Sequence, residues 1–332
     1  MKILVLNKAD MQEVFNASKA IAADKEALSL YAAGKTNIPL RANLDVPEHN
    51  GQSLYMYGYA APANALGVKI VSVYPDNINK GIPGVPATMV LLNAETGETC
   101  CMMDGTYLTQ VRTGAVAGLA TDYLARKDAK VFAVFGTGGQ APGQIDAVLT
   151  VRPEIELVKL YDMNLERAAA FAEEMTAKFA GTFKAKFVAA QTAAEAVEGA
   201  DIITTCTTAK VNVFDGTLVK KGCHINGVGS YTPEMSEIDE YIVVNADKVY
   251  TDTPDAVAES GDLIKPINKG TFSEDKITGQ LGDLINGIIP GRESDDEITF
   301  FETVGSAVLD IVCGQAIYES AVEMGIGQVI EL

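Results

Sequence analysis

Gly136-Thr137-Gly138-Gly139-Gln140-Ala141 stands near the middle of the chain, after the apolar run Val131 to Phe135 and before a segment of helical character. The pattern G-x-G-x-x-[GA] at a strand-to-helix junction suits a pyrophosphate. Gly136 would turn the chain tightly, Gly138 would let the backbone approach phosphate, and Ala141 would let helix and strand pack closely. The peptide groups along this turn, those of Thr137, Gly139 and Gln140 included, would present free N–H groups at the helix start. Pro142 fits there, because first-turn amides have no intrahelical partner. The next apolar run, IELVKLY, ends in Asp162. An acid at that strand end, ~20 residues past the turn, would bind adenosine ribose hydroxyls and repel a 2′-phosphate. NAD(H) is therefore favoured, while nearby Arg167 leaves NADP(H) open. The plain alternative is a glycine loop of an α/β fold without a dinucleotide.

Three cations interrupt apolar sequence nearer the N-terminus: Arg41 in NIPLRANL, Lys69 in LGVKIVSVY and Arg112 in LTQVRTGAVAGLA. Strand alternation puts Lys69 on one face with Val71 and Val73, so it either snorkels or functions. Arginine offers a planar fork that matches a carboxylate. Lysine can act as an acid and shifts its pKa when desolvated. Each, taken singly, is also readable as a structural ion pair. The net charge of −18 argues against nucleic-acid binding and makes cations within apolar sequence informative. Together they suit a small anionic substrate.

Five cysteines, Cys100, Cys101, Cys206, Cys223 and Cys313, form no CxxC pair and read as reduced thiols. His49 and His224 have no spaced partners, so no metal is expected; His224 reads as a buried, hydrogen-bonded strand residue, and Glu293 to Glu297 as a solvated acidic loop. The opening MKILVLNKADMQEVF meets charge too early for a signal peptide, and no apolar run approaches the ~20 residues of a membrane span. A cytoplasmic protein without membrane or nucleic-acid partners is expected.

Stepping outward from these residues, KILVL reads as a strand and residues 11–35 as one helix capped by Asn7 or Asp10. QSLYMYGYA, LGVKIVSVY and the hairpin around Ala94 to Gly97 read as antiparallel sheet. TYLTQVRTGAVAGLATDYLAR reads as a helix rich in small residues. From residue 130, short apolar strands alternate with helices, the pattern of a doubly wound parallel sheet. A last long helix follows residue 303.

GVKIVSVYPDN, GIPGVPATMVLLNAETGETCCMMDGTYLTQVRTGAVAGLATDYLAR, FGTGGQA, INGVGSYTPEMSEID and PGRESDDEITFFETVGSAVLDI occur in that order. In these stretches, over essentially its whole length, the chain resembles the ornithine cyclodeaminase/μ-crystallin family. The resemblance implies an α/β fold: a Rossmann doubly wound parallel sheet, residues 120–302, inserted into an α+β substrate-binding and dimerisation domain of residues 1–119 and 303–332. It implies a homodimer, and hydride transfer between NAD(P)(H) and the nitrogen-bearing α-carbon of an amino or imino acid. It implies that Arg41 and Arg112 hold the substrate carboxylate and that Lys69 binds it too or protonates the nitrogen, with Thr113 and Asp104 in support. Thr113, Cys206, Thr207 and Val228 fall where the family meets the cofactor.

The chain departs from the cyclodeaminase pattern at two places. Tyr231, in Gly229-Ser230-Tyr231-Thr232-Pro233, occupies the place of an aspartate, and Ser53-Leu54-Tyr55-Met56 lacks a glutamate. A phenol of pKa ~10 does not replace a carboxylate at neutral pH. The expected activity is therefore reduction of a small cyclic α-imino acid such as pyrroline-2-carboxylate, or the reverse dehydrogenation. Ornithine cyclodeamination and ligand binding without catalysis are the alternatives.

Overall fold

The computed structural model describes the backbone of residues 1–332 and the side chains of all but residue 78. It separates into two compact units, residues 1–112 with 306–332 and residues 113–305. The sequence pattern changes at 119/120 and 302/303. The first boundary of the structure instead falls within one continuous helix, Gly105–Leu124.

The first unit is an eight-stranded sheet with helices against it. From one edge the strands run Gln328–Glu331, Lys2–Leu6, Thr99–Asp104, Ala87–Leu92, Ala65–Val73, Gly51–Ala60 and Thr36–Asn37, with Ala42–Val46 also pairing with Gly51–Ala60. All pairings are antiparallel except that of Lys2–Leu6 with Thr99–Asp104. The single helix expected after the first strand is two, Lys8–Val14 and Ala17–Ala32. Asn7 and Asp10 close a capping box on the first, and Asn16 caps the second by accepting from the Lys19 amide. A side-chain acceptor at that point favours a new helix start over continuation.

Alternation along the central strands gives the sheet two different faces. Leu54, Met56, Val71 and Met89 are buried on the inner face, which packs against the long helix Ala307–Met324. On the outer face, Tyr57 pairs with Val68 and Tyr55 with Ile70, and Val68 also pairs with Val90. Tyr57, Tyr59 and Ile70 are exposed there.

The second unit is an eight-stranded, wholly parallel sheet in the order Lys186–Ala189, Leu157–Tyr161, Val131–Phe135, Ile202–Thr205, His224–Gly227, Thr299–Glu302, Lys248–Thr251 and Gly279–Gln280. Two apolar clusters, one including Phe135, Phe214 and Phe300 and one including Phe132, Ile145 and Phe171, make its core. The chain builds one side of the sheet from Val131–Phe135, then crosses to Ile202–Thr205 and builds the other. That reversal is the topological switch point at which open α/β sheets bind ligands.

Candidate active site

In the first unit, Lys69 lies on the inner face of the Ala65–Val73 strand and is 1% exposed. Arg112, in the Gly105–Leu124 helix, is 5% exposed. Both reach one acceptor: Asp310 Oδ1, on the Ala307–Met324 helix, takes Lys69 Nζ at 2.6 Å and Arg112 Nε at 2.8 Å. Lys69 thus keeps two N–H groups, and Arg112 both Nη groups, without a hydrogen bond among the described residues. Arginine does not shed its proton to escape burial. Buried cations with uncommitted donors are costly unless a ligand satisfies them.

Burial is the main influence on the Lys69 ammonium and pushes its pKa down, Arg112 adds to this, and the charge and hydrogen bond of Asp310 oppose it; the outcome is about 7. Arg41 adds a smaller downward push, so its charge is felt at Lys69, and its side chain is half-buried. Behind the pair, Asp24 is fully enclosed and accepts from the Cys313 thiol at 3.2 Å. Burial raises the Asp24 carboxyl well above the usual range, against that hydrogen bond.

In the second unit, Val131–Phe135 runs into the glycine turn and Ala141–Val151 is the helix that follows, with Pro142 in its first turn. Gly136 has φ +97°, and a Cβ there would lie 2.9 Å from the Cys206 carbonyl oxygen, so only glycine fits. At Gly138 and Gly139 a Cβ would meet nothing within 4 Å, and neither residue has the positive φ that demands glycine. Protein packing therefore does not account for these two glycines. The space that their missing side chains leave suits a dinucleotide pyrophosphate, held by backbone N–H groups at the helix start.

Asp162 ends Leu157–Tyr161 and accepts from the Thr137 hydroxyl at 2.8 Å, from the Asn164 amide at 3.0 Å and from Arg167. Burial alone would raise its carboxyl; the Asn164 amide, Arg167 and Thr137 outweigh it and hold the group below the usual range. Cys206 follows Ile202–Thr205, its thiol pushed up by burial, which leaves it an inert packing group. Glu237, fully buried, bridges the two neighbouring strand ends: it accepts from the Thr207 amide, from the Gly229 amide at 2.6 Å and from the Thr205 hydroxyl at 3.2 Å.

Residues 1–325 match the family model described as the ornithine cyclodeaminase/mu-crystallin family. The chain belongs to this family.

Among the relatives of this family member is a Delta(1)-pyrroline-2-carboxylate reductase of Bacillus cereus, 41% identical over 99% of this chain and 100% of that one. A solved structure of the Thermococcus litoralis Delta(1)-pyrroline-2-carboxylate reductase in complex with NADH and L-proline is 38% identical, covers 98% of this chain and 99% of its own, and superposes with a TM-score of 0.93. An archaeal alanine dehydrogenase dimer with bound NAD is 32% identical over the whole of both chains, with a TM-score of 0.91.

Of the residues singled out in the sequence of this family member, the structure brings Lys69 and Arg112 together, with Arg41 close enough to act on Lys69. Gly136, Cys206 and Thr207 also meet, at the switch point. Thr113 falls in the second unit, where its carbonyl accepts from Gln144 Nε2 at 3.0 Å. The Val228 amide pairs with the Thr205 carbonyl at 3.1 Å. Asp104 spends one oxygen on the Thr106 and Tyr107 amides, at 2.8 and 3.0 Å, as a helix cap. His224 is a core residue, bonded to Thr299 and Asn226, with burial lowering its pKa to about 3. The loop at Glu293 and Glu297 pairs with Lys248. Asp310, Asp24 and Glu237 were not anticipated. Asp310 did carry a signal, as the one acid in the apolar run AVLDIVCGQAIY.

Proposed function

We propose that this protein reduces a small cyclic α-imino acid of the pyrroline-2-carboxylate type to the amino acid at the expense of NADH, and runs the reverse oxidation when product and NAD are in excess. The observation that carries this reading is the buried Lys69–Arg112 pair on one oxygen of Asp310, with donors left over, in a chain of net charge −18. Such donors suit a carboxylate.

Arg112, through its two Nη groups, takes the substrate carboxylate in the bidentate manner of guanidinium, and Arg41 adds charge from the less buried side. Lys69, titrating near 7, is charged often enough at neutral pH to give a proton and basic enough to recover one. It delivers that proton to the imine nitrogen. NADH, when bound, supplies the hydride that reduces the imine carbon. The turn from Gly136 to Ala141 holds the pyrophosphate and Asp162 the adenosine ribose, which selects NADH over NADPH.

The pyrroline-2-carboxylate reductases of Bacillus cereus and Thermococcus litoralis support this reading. Tyr231 in place of an aspartate weighs against ornithine cyclodeamination. The protein acts as a homodimer through the outer face of the first unit's sheet, a reading supported by the archaeal alanine dehydrogenase dimer and by the exposed Tyr57, Tyr59 and Ile70. No helix among the described residues is long and apolar enough to cross a membrane. The five free cysteines suit a reducing, cytoplasmic setting.

The test is absorbance at 340 nm with NADH and pyrroline-2-carboxylate, with the product identified and ammonia measured in parallel on ornithine. NADH consumption with stoichiometric proline and no ammonia is expected. Ammonia from ornithine at constant absorbance would overturn the reading.

A further inference from the structure

Asp310 shows an uneven use of its two oxygens. Oδ1 receives both cations, while Oδ2 is buried with no hydrogen-bond partner among the described residues. Two cations drawn this close repel each other, and with burial this lowers the pKa of the more labile one, the lysine. The charged and titratable groups around Lys69 come from every side: Arg112 from the Gly105–Leu124 helix, Arg41 from the segment before Ala42–Val46, Asp24 from the Ala17–Ala32 helix, and Cys313 from the helix of Asp310 itself. Burial pushes the pKa of both the cysteine and Asp24 upward. Asp310 is the carboxylate that takes both cations. Lys69, Arg112 and Arg41 together outnumber it, and the excess of positive charge suits a substrate carboxylate.

We propose that Asp310 is a positioning residue of this site: its one engaged oxygen aligns Arg112 and Lys69 for the substrate carboxylate, keeps the buried ammonium charged, and so sets the upper pH limit of imine reduction. This rests on the imine reduction proposed above. In that reaction the C=N bond gains a hydride at carbon and a proton from Lys69 Nζ at nitrogen. The neutral lysine then regains its proton from solvent. Asp310 touches no substrate atom; it acts through the two cations.

The deciding measurement needs no turnover. Lysine labelled with 13C at Cε reports the protonation of Lys69 by NMR, its resonance assigned by comparison with Lys69→Arg. In the unaltered protein the Lys69 midpoint is expected near 7. In Asp310→Asn, which keeps the shape and an acceptor but removes the charge, the midpoint falls by roughly one to three units. With pyrroline-2-carboxylate, the deficit in kcat/KM of this variant then widens with pH until it reaches ~10-fold or more above pH 7, while NADH binding is unchanged. A purely structural role would lower kcat/KM by the same factor at every pH.

Asp310→Glu keeps the charge and shifts the oxygen. It returns the Lys69 midpoint toward that of the unaltered protein and leaves KM raised. If Asp310→Asn does not fold, this variant decides alone: a midpoint lowered in spite of the retained charge overturns the proposal. An identical Lys69 midpoint in the unaltered protein and Asp310→Asn, or a loss of activity independent of pH, also overturns it. Should the protein fail to reduce pyrroline-2-carboxylate, the proposed function falls on that result, and the NMR titration still decides the role of Asp310.

Discussion

Arg167 reaches back to Asp162 and bonds the oxygen that also takes the Thr137 hydroxyl. An acid and a guanidinium thus sit together where the adenosine ribose is proposed to bind, and they favour opposite cofactors. The acid accepts from ribose hydroxyls and repels a 2′-phosphate, whereas a guanidinium welcomes phosphate. On the proposed reading Asp162 prevails, because it is buried at a strand end and keeps Arg167 engaged, although the Arg167 side chain is 58% exposed. Asp162→Ser removes the repulsion and frees the guanidinium. The ratio of kcat/KM for NADPH over NADH should rise at least ~10-fold, corresponding to about 1.4 kcal/mol. Steady-state kinetics with both cofactors checks this, and an unchanged ratio removes Asp162 from the ribose site.

Arg112→Ala tests the carboxylate grip. The substitution deletes two uncommitted Nη groups in a buried setting, and hydrogen bonds to charged partners contribute about 1.5–3 kcal/mol each. A loss of ~100-fold or more in kcat/KM is expected, with partial rescue by added guanidinium. NADH affinity, measured by fluorescence titration, should stay within ~2-fold, because the glycine turn belongs to the other unit. Equal loss of cofactor binding would place Arg112 outside the substrate site.

These two predictions draw on different degrees of sequence legibility. The turn at Gly136, the helix start at Pro142 and the acid at Asp162 are local features, each readable from neighbours in the chain. Lys69 and Arg112 stood out because a charge within apolar sequence needs an explanation. Their partner did not, since Lys69 and Asp310 are 241 residues apart and meet only through tertiary packing. Glu237 was hidden for a similar reason: its three hydrogen bonds run to two strand ends upstream of it. The break at Asn16 was missed because apolar periodicity continues across it. The closing strand Gln328–Glu331 pairs with Lys2–Leu6 at the opposite end of the sequence, a register that no local pattern announces.

The outer face of the first sheet yields a prediction about assembly. Tyr57 and Tyr59 point to the same side of one strand, with Val68 and Leu66 opposite them on the next. Tyr57→Asp combined with Tyr59→Asp would place two charges in an interface formed by that face, and desolvating an unpaired charge costs several kcal/mol. Sedimentation velocity should show a species near twice the chain mass of 35.2 kDa for the unaltered protein and the monomer for the variant. A dimer that survives both substitutions would move the interface elsewhere.

Glu237 links stability to pH through the strand ends it holds. Burial raises its pKa from the usual carboxylate range to about 7, against the hydrogen bonds from Thr207 and Gly229. Between the unfolded value of ~4.3 and 7, the folded protein therefore keeps a proton that the unfolded chain has released. Stability contributed by this group is present below that window and falls as pH rises through it, by about 4 kcal/mol in total. In Glu237→Gln the group no longer titrates, so the difference in melting temperature between variant and unaltered protein should change in the variant's favour between pH 5 and pH 7.5. The amide has one acceptor oxygen for two backbone N–H donors, and its NH2 group faces whichever amide that oxygen does not serve. The Thr207 and Gly229 segments should then loosen, and NADH should bind more weakly at every pH, by roughly 10-fold for one unsatisfied buried amide. Calorimetric melts across pH and titration with NADH read the two effects separately. A variant whose melting temperature tracks that of the unaltered protein across the whole range would show that Glu237 does not titrate in it.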